Sequence, residues 1–559
     1  MPTWLLLLVS LGLSSAAQEV SPQPQPPASV LREVLREIQV EGATIFTRDD
    51  VVWLLKLREG SPLPKSPAEI AKALQEAYER DGYSQATVSG AFDQGRLTLT
   101  VDEGRIDEIE ILGVTAENAE RLKRLLGIKP GDIYNSRVIG RATRRLTAEA
   151  LGAFAVGQPR RHQPGARHGE STPSDVILER KGARNVLVVP LRWRTTRTNQ
   201  MLGSGREDLF SPVDGMSPAI GFATTIFDHS RFNHTYINGY ASYKFGREDP
   251  GYSIGIERPI FLAPKLFLGV EVHDVTASDD LWRLSSLEQT IVSLGFKNTF
   301  REYYRRRGTQ LFGVLRMGAH NELSAMARWD RHEPLVNATS YSFFRDDEAF
   351  RPNPPVVDQD VNALVAGYTF DTRALSGSGQ PATYERHVKD NLFGHGLRRT
   401  PGLRLEWTSE VAGGFMKGDA GFDRHILNAR GYVATSSRTL LSLRGLFGFS
   451  NGTLPVERRF SIGGIGSVHG YSFKEASGTG MTLLNAEYRI NLSSNSQSRD
   501  AANVFVFYDA GRVTNSEASR WLRGVGAGFG AAGVRIEFGF RANDIPESRQ
   551  ILVRFSPTF

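Results

Sequence analysis

Leu266-Phe-Leu-Gly-Val-Glu-Val-His273 alternates. Leu266, Leu268, Val270 and Val272 fall on one face of an extended chain, and Glu271 and His273 share the other. The same period of two recurs where Leu484, Ala486, Tyr488 and Ile490 oppose Asn485, Glu487 and Arg489, and where Val534, Ile536, Phe538 and Phe540 oppose Arg535, Glu537 and Arg541. From about Leu209 to the end such segments follow one another between Gly, Asp, Asn and Ser, with little that reads as an amphipathic helix. Alternation alone fits a soluble sandwich with its apolar face inward as well as a membrane barrel with that face outward. Length favours the barrel. Residues 205–559 number 355, about 22 per strand and connection for about 16 strands, which suits membrane strands of about ten residues. The expected fold is an all-β transmembrane barrel of about 16 antiparallel strands.

The composition of the 559 residues, 40% hydrophobic and 23% charged, excludes a disordered or collagen-like chain. A net charge of +6 spread over this length gives no indication of nucleic-acid binding. There is no cysteine, which removes disulfide scaffolds, thiolate-held zinc or iron–sulfur sites and cysteine nucleophiles. The one long apolar run, Trp4 to Leu13, is too short to span a bilayer and is followed by small residues at Ser15-Ala16-Ala17. Residues 1–17 are therefore expected to be an export signal, although Met1-Pro2-Thr3 lacks the usual Lys or Arg. Ser21 to Pro27 favours polyproline II, making 18–33 a Pro-rich linker.

An internal repeat precedes the β half. Shifted by 71 residues, Ile38, Val40, Gly42, Thr44, Leu54, Leu55, Leu57 and Gly60 align without a gap on Ile109, Ile111, Gly113, Thr115, Leu125, Leu126, Ile128 and Gly131. In each copy a short strand ends at Gly and a helical stretch follows. Ser66-Pro67-Ala68-Glu69 predicts the start of a second helix, and Asp93-Gln94-Gly95-Arg96 a hairpin between Ala86–Phe92 and Leu97–Val101. The second copy, with a helix near Ser136 to Leu151, has its hairpin split by the Pro/Gly/His-rich stretch 157–175 and closed by Val186–Trp193.

The strand-Gly-x-Thr opening together with Tyr78-x-x-x-Gly82-Tyr83 resembles the POTRA domains of bacterial outer-membrane assembly and secretion proteins. The resemblance covers about residues 34–196 and divides them into POTRA domains at 34–104 and 105–196, with the barrel at 205–559. It implies that an exposed sheet edge captures extended clients by strand addition.

Three motifs in the β half extend the resemblance. Ser461-Ile-Gly-Gly-Ile-Gly-Ser-Val-His-Gly-Tyr471 resembles the glycine-rich loop with a Val-Arg-Gly-Phe/Tyr tip in the same superfamily, which includes BamA- and TamA-like insertases and two-partner secretion transporters. Phe507-Tyr508-Asp509-Ala510-Gly511 is similar to its Phe-x-Asp-x-Gly strand, and Glu487-Tyr488-Arg489 to its Glu-x-Arg strand, in the same order. A further, partial match is Tyr368-Thr-Phe-Asp371-Thr-Arg373, similar to an Asp-x-Arg strand end. The resemblance implies that a loop built on Gly463, Gly464, Gly466, Val468, His469, Gly470 and Tyr471 folds into the lumen. There it would meet wall partners at Asp509, Gly511, Glu487 and Arg489. His469 stands where the family has Arg, replacing a permanent cation by a group that titrates near pH 6.5. Docking is then weaker or pH-sensitive, and the alternative is a surface loop histidine. The terminal Ile551 to Phe559, with Phe555 and Phe559 in the pattern, resembles a closing-strand signal.

Catalytic patterns dissolve in context. Gly448-Phe-Ser450-Asn-Gly452 lacks the helix a nucleophile elbow needs, and Ser450 reads as a loop residue. Gly528-Phe-Gly530-Ala-Ala-Gly533 leads into a strand where a phosphate site needs a helix N-terminus. No His cluster has zinc-ligand spacing, and Arg305-Arg306-Arg307 reads as a membrane-boundary turn or solvated face. The expectation is a non-enzymatic outer-membrane translocator or insertase with no cofactor or metal. Its partners would be unfolded secreted or outer-membrane proteins, lipid, and periplasmic chaperones or accessory subunits, without nucleic acid. Transporter and insertase both remain open, and a passive porin with an accessory periplasmic domain is the alternative.

Overall fold

The computed structural model describes residues 34–149, 154–156, 176–203, 207–228, 233–262, 265–345, 347–373, 401–492, 502–514 and 520–555. The expected export signal and linker lie outside them.

The first repeat forms a strand Glu37–Glu41, helices Arg48–Leu55 and Pro67–Arg80, and a hairpin Thr87–Asp93/Arg96–Asp102. Thr47 with Asp50 and Ser66 with Glu69 close reciprocal capping boxes, each of which satisfies two orphan amides at the start of its helix. Gln94 and Gly95, both at positive φ, turn the hairpin. Arg96–Asp102 is central, parallel to Glu37–Glu41 and antiparallel to Thr87–Asp93, over a core including Ile38, Val51, Leu74, Tyr78 and Leu97. Gly42 and Gly113 keep the 71-residue register for one steric reason. A Cβ on Gly42 would lie 2.1 Å from the Val101 carbonyl oxygen, and one on Gly113 would lie 2.6 Å from that of Leu191. Thr44 and Tyr78 meet at Glu103, whose carboxylate accepts from the Thr44 and Ile45 amides at 2.7 and 2.8 Å and from the Tyr78 hydroxyl at 2.9 Å. Burial alone would raise the Glu103 pKa. These donors outweigh it and hold the carboxyl below its ordinary value.

In the second repeat Glu108–Leu112 runs parallel to Val186–Pro190 beneath helices Ala116–Leu126 and Ser136–Glu149. The stretch 157–175, outside the described residues, separates two partners of Arg184–Trp193, as expected: Phe154–Val156 pairs antiparallel with Leu191–Trp193, and a further strand, Ile177–Lys181, pairs with Arg184–Val188 around Gly182. The polar tail of Ile177–Lys181 hid this strand from the alternation pattern. The repeats are clamped together. The Ser136 amide and hydroxyl donate to the Gly82 carbonyl at 2.8 and 3.0 Å, Asn135 Nδ2 to that of Asp81 at 3.2 Å, and Arg137 to that of Arg80.

Among the described residues sixteen strands follow in one antiparallel sheet. They are β1 (Thr196–Gly203), β2 (Ala219–Asp228), β3 (Asn233–Lys244), β4 (Asp249–Leu262), β5 (Lys265–Ala277), β6 (Tyr304–Met317), β7 (Asn321–Pro334), β8 (Gln359–Asp371), β9 (Gly402–Ala412), β10 (Phe422–Ala434), β11 (Thr439–Gly452), β12 (Gly480–Asn491), β13 (Asn503–Thr514), β14 (Leu522–Ala531), β15 (Val534–Arg541) and β16 (Gln550–Arg554). Each pairs with its sequence neighbours. β1 opens before residue 205, because its Thr, Arg, Asn and Gln side chains mask the alternation. Phe227 of β2 packs into the core of the second repeat.

The polarity of the sheet chooses between sandwich and membrane barrel. In β5, Leu268 and Val272 are 47% and 43% exposed while Glu271 and His273 are buried, and in β12 Leu484, Tyr488 and Ile490 are exposed while Asn485, Glu487 and Arg489 are buried. An apolar outer face over a charged interior suits a sheet solvated by lipid. Among the described residues no helix is long and apolar enough to cross a membrane. One element of the β half was not expected. A helix, Ser286–Phe296, lies between β5 and β6, started by a Ser285–Glu288 capping box. Its mixed pattern of exposed apolar and buried polar residues hid it from a search for ordinary amphipathicity.

Candidate functional site

The connection between β11 and β12 folds inward as a two-stranded ribbon, Phe460–Ile462 against Ala476–Gly478, carrying the glycine-rich tip. Phe460, Ile462, Val468 and Tyr471 form a small apolar core with Leu446, Met481, Leu483, Val513 and Leu522 of the wall. Gly463, Gly464, Gly466 and Gly470 all adopt positive φ. The backbone here also leaves no room for a side chain: a Cβ on Gly470 would sit 2.3 Å from the Arg541 nitrogen, and one on Gly466 would sit 2.4 Å from the Arg283 carbonyl oxygen.

His469 is buried at the tip, held by two carboxylates. Its Nδ1 lies 2.6 Å from Asp509 Oδ2, its Nε2 lies 3.1 Å from Glu537 Oε2, and its ring tilts against Phe507 at 4.4 Å between centroids. Burial by itself would lower the imidazole pKa. Asp509 and Glu537 more than reverse this and raise it to about 9, so the tip carries a cation at neutral pH, as an arginine would. The expected titration near pH 6.5 is thereby displaced upward.

The wall motif reads out against this tip. Asp509 also accepts from Asn485 Nδ2 at 2.7 Å, whose amide donates to the Ser467 carbonyl at 2.8 Å. Gly511 leaves space for Val468, since a Cβ there would be 3.0 Å from Val468 Cγ2. Gly524 and Gly539 do the same beside His469, with 2.6 Å approaches to its carbonyl oxygen and Cβ. Tyr471 lies under the Arg541 guanidinium, 4.7 Å from the ring centre, and Arg541 Nε donates to the Gly470 carbonyl at 2.9 Å.

Glu487 and Arg489 do not touch His469. Glu487 pairs with Arg489 and, at 2.7 Å, with Arg535, which bonds Glu537 at 2.8 Å. Charges thus alternate in one chain, Asp509–His469–Glu537–Arg535–Glu487–Arg489, across β12, β13, β15 and the loop. Arg535 and Glu537 are the site residues that the sequence reading missed. Their alternation in β15 placed them on the lumenal face, but gave no sign of which loop they would meet.

Contacts from the β5–β6 connection brace the ribbon. Arg283 donates to the Ser461 carbonyl at 2.7 Å and the Gly463 carbonyl at 3.2 Å, while Lys474 pairs with Asp280 and Glu302 at 2.9 and 2.6 Å. Asp371 and Arg373 form a two-pronged pair at 2.8 Å at the opposite end of the barrel. Phe555 follows β16, and Phe559 lies outside the described residues. Ser450 lies within β11, not in a loop, with its hydroxyl donating to the Thr479 carbonyl. Arg305 and Arg307 begin β6 and pair with Asp274 and Glu333. Among the described residues no group of His, Asp and Glu is arranged to hold a metal ion.

Residues 236–540, more than half of the chain, match the Omp85 superfamily domain. The chain belongs to the Omp85 superfamily. Residues 34–104 of this Omp85 protein match a POTRA repeat described as a surface antigen variable number repeat. Its barrel sits in the bacterial outer membrane and its POTRA domains in the periplasm, which places the β5–β6 and β11–β12 connections at the extracellular end. Similar solved structures include BamA from Haemophilus ducreyi lacking POTRA domains 1–3, at 14% identity over 93% of this chain and 98% of that one with a TM-score of 0.48. CdiB from Escherichia coli is similar at 15% identity over 95% and 92%, with a TM-score of 0.34. No curated protein matches the chain.

Proposed function

We propose that this Omp85 protein carries unfolded protein clients into or across the outer membrane, without catalysis or a cofactor. The docked loop supports this reading most. A passive pore needs an open lumen, whereas here the ribbon and the His469 tip are bonded to the wall on several strands. Thr87–Asp93 is an edge of its three-stranded sheet and offers main-chain donors and acceptors to an extended client whatever its sequence. Periplasmic chaperones or accessory subunits would deliver such clients to the POTRA domains. The client would then pass to the barrel, and its own folding would drive the process. The test is reconstitution in vesicles with a urea-unfolded outer-membrane barrel and with a secreted β-helical protein. Uptake of either client, combined with low and flickering conductance, is expected. A large steady conductance with no uptake of either would establish a porin instead.

A further inference from the structure

The helix Ser286–Phe296 carries its polarity opposite to that of a helix resting in water. Glu288, Gln289 and Ser293 are buried, whereas Leu287, Ile291 and Phe296 are 46%, 39% and 50% exposed. Its position accounts for this. On one side it packs on Phe210–Ser211, in the segment after β1, where Arg301 bonds both Asp208 and the Ser286 hydroxyl. On the other side it meets the last strand. Glu288 Oε1 accepts the Phe555 amide at 2.7 Å and Arg554 Nε at 3.0 Å, and Arg554 also donates to the Arg283 carbonyl at 3.1 Å. β1 and β16 are the two ends of the sheet, and among the described residues no register joins them. The helix therefore stands between the ends. Its exposed residues are apolar, as are Ile551 and Val553 on the outer face of β16, at 55% and 52% exposure.

We propose that this helix is part of the barrel wall. Leu287, Ile291 and Phe296 meet the acyl chains of the membrane, and Glu288 occupies the hydrogen-bonding edge of the last strand, latching the seam against an incoming strand. An unpaired strand edge facing lipid is costly, and a carboxylate accepting the Phe555 amide just past β16 relieves part of that cost. The same carboxylate holds the helix together, because its Oε2 accepts the Ser285 amide at 2.9 Å. Helix start and strand edge are thus tied through one side chain. The wall assignment stands on geometry alone; the latch rests on the proposed handling of clients.

The chain has no cysteine, so single thiols at Leu287 and Ile291 can carry a bimane label in the full-length protein, with a label at Leu443 as the lipid-facing reference. In phosphatidylcholine vesicles both helix labels are expected to be quenched by brominated acyl chains as strongly as the reference and left untouched by iodide. The reverse pattern overturns the wall assignment. Glu288→Gln preserves the capping oxygen but removes the charge facing Arg554. Amide exchange across residues 550–555 is then expected to quicken about ten-fold, the worth of one charge-assisted hydrogen bond. Unchanged exchange overturns the latch. Finally, a reducible bismaleimide joining Glu288→Cys to Arg554→Cys is expected to stop insertion of a urea-unfolded outer-membrane barrel, and reduction to restore it. Insertion that continues under the bridge also overturns the latch. If wild-type protein fails with the same client, the proposed function falls, and quenching and exchange still judge the helix.

Discussion

His469 shows how a substitution that looks weakening can be repaired by its surroundings. An arginine brings its own charge, whereas this histidine is kept charged by a carboxylate on each ring nitrogen. His469→Arg is therefore expected to be tolerated in a client-uptake assay. His469→Ala and Asp509→Ala should each impair uptake, and the double variant should fall short of their sum by about 1–3 kcal/mol in loop-docking free energy. Simple additivity would mean that the two side chains act separately. The pH dependence follows from the raised pKa. A cation favoured by docking contributes fully below the undocked value of 6.5, and the contribution is lost as pH rises through about 9. Proteolysis of the loop should thus stay constant from pH 5.5 to 6.5 and increase toward pH 9 and beyond, by about 3 kcal/mol in all, while His469→Arg should remain flat. The Asp509 partnership was legible because loop and strand motifs come in a recognisable order. Glu537 was not, since it lies 68 residues from His469 and its strand has only the ordinary alternation.

Among the elements, hairpins and capped helices were the most legible, because Asp-Gln-Gly-Arg and Ser-Pro-x-Glu encode local geometry that tertiary packing need not supply. The strand Ile177–Lys181, the strand β1 and the helix Ser286–Phe296 were missed, for a shared reason. Each has a surface that departs from the rule of one apolar and one polar face, either through a run of consecutive polar residues or through inverted exposure. Within the first POTRA domain the Thr44–Tyr78–Glu103 knot joins a loop, a helix and a strand end. Glu103→Gln is expected to cost about 3 kcal/mol, because a buried carboxylate serving several donors is replaced by a group that cannot accept from all of them. Hydrogen exchange over residues 34–104 of the full chain measures it. The carboxyl is held below its ordinary value, so its contribution is present above the usual carboxylate range and lost as pH falls through the depressed value. Wild type and Glu103→Gln should therefore converge in acid.

For the whole molecule, the order of parts was legible and the joint between them was not. Phe227 of the second barrel strand is buried in the core of the second repeat, a contact that no local pattern announces. Deletion of residues 34–193, which spares β1, is expected to leave a barrel that inserts and shifts on heating in gel electrophoresis but no longer handles clients. Uptake that survives the deletion would remove the POTRA domains from the mechanism. The sixteen strands place Leu268, Leu484 and Ile551 outward and Glu271, Glu487 and Arg535 inward, and this has a consequence for how the protein is made. In water the sheet would gain nothing by folding, for the greasy side would stay wet and the charges would be stripped of water. Only a bilayer gives this sequence a low-energy state, so the nascent barrel has no aqueous destination and must travel unfolded. It is, on its way to the membrane, cargo of the same kind as the clients proposed for it.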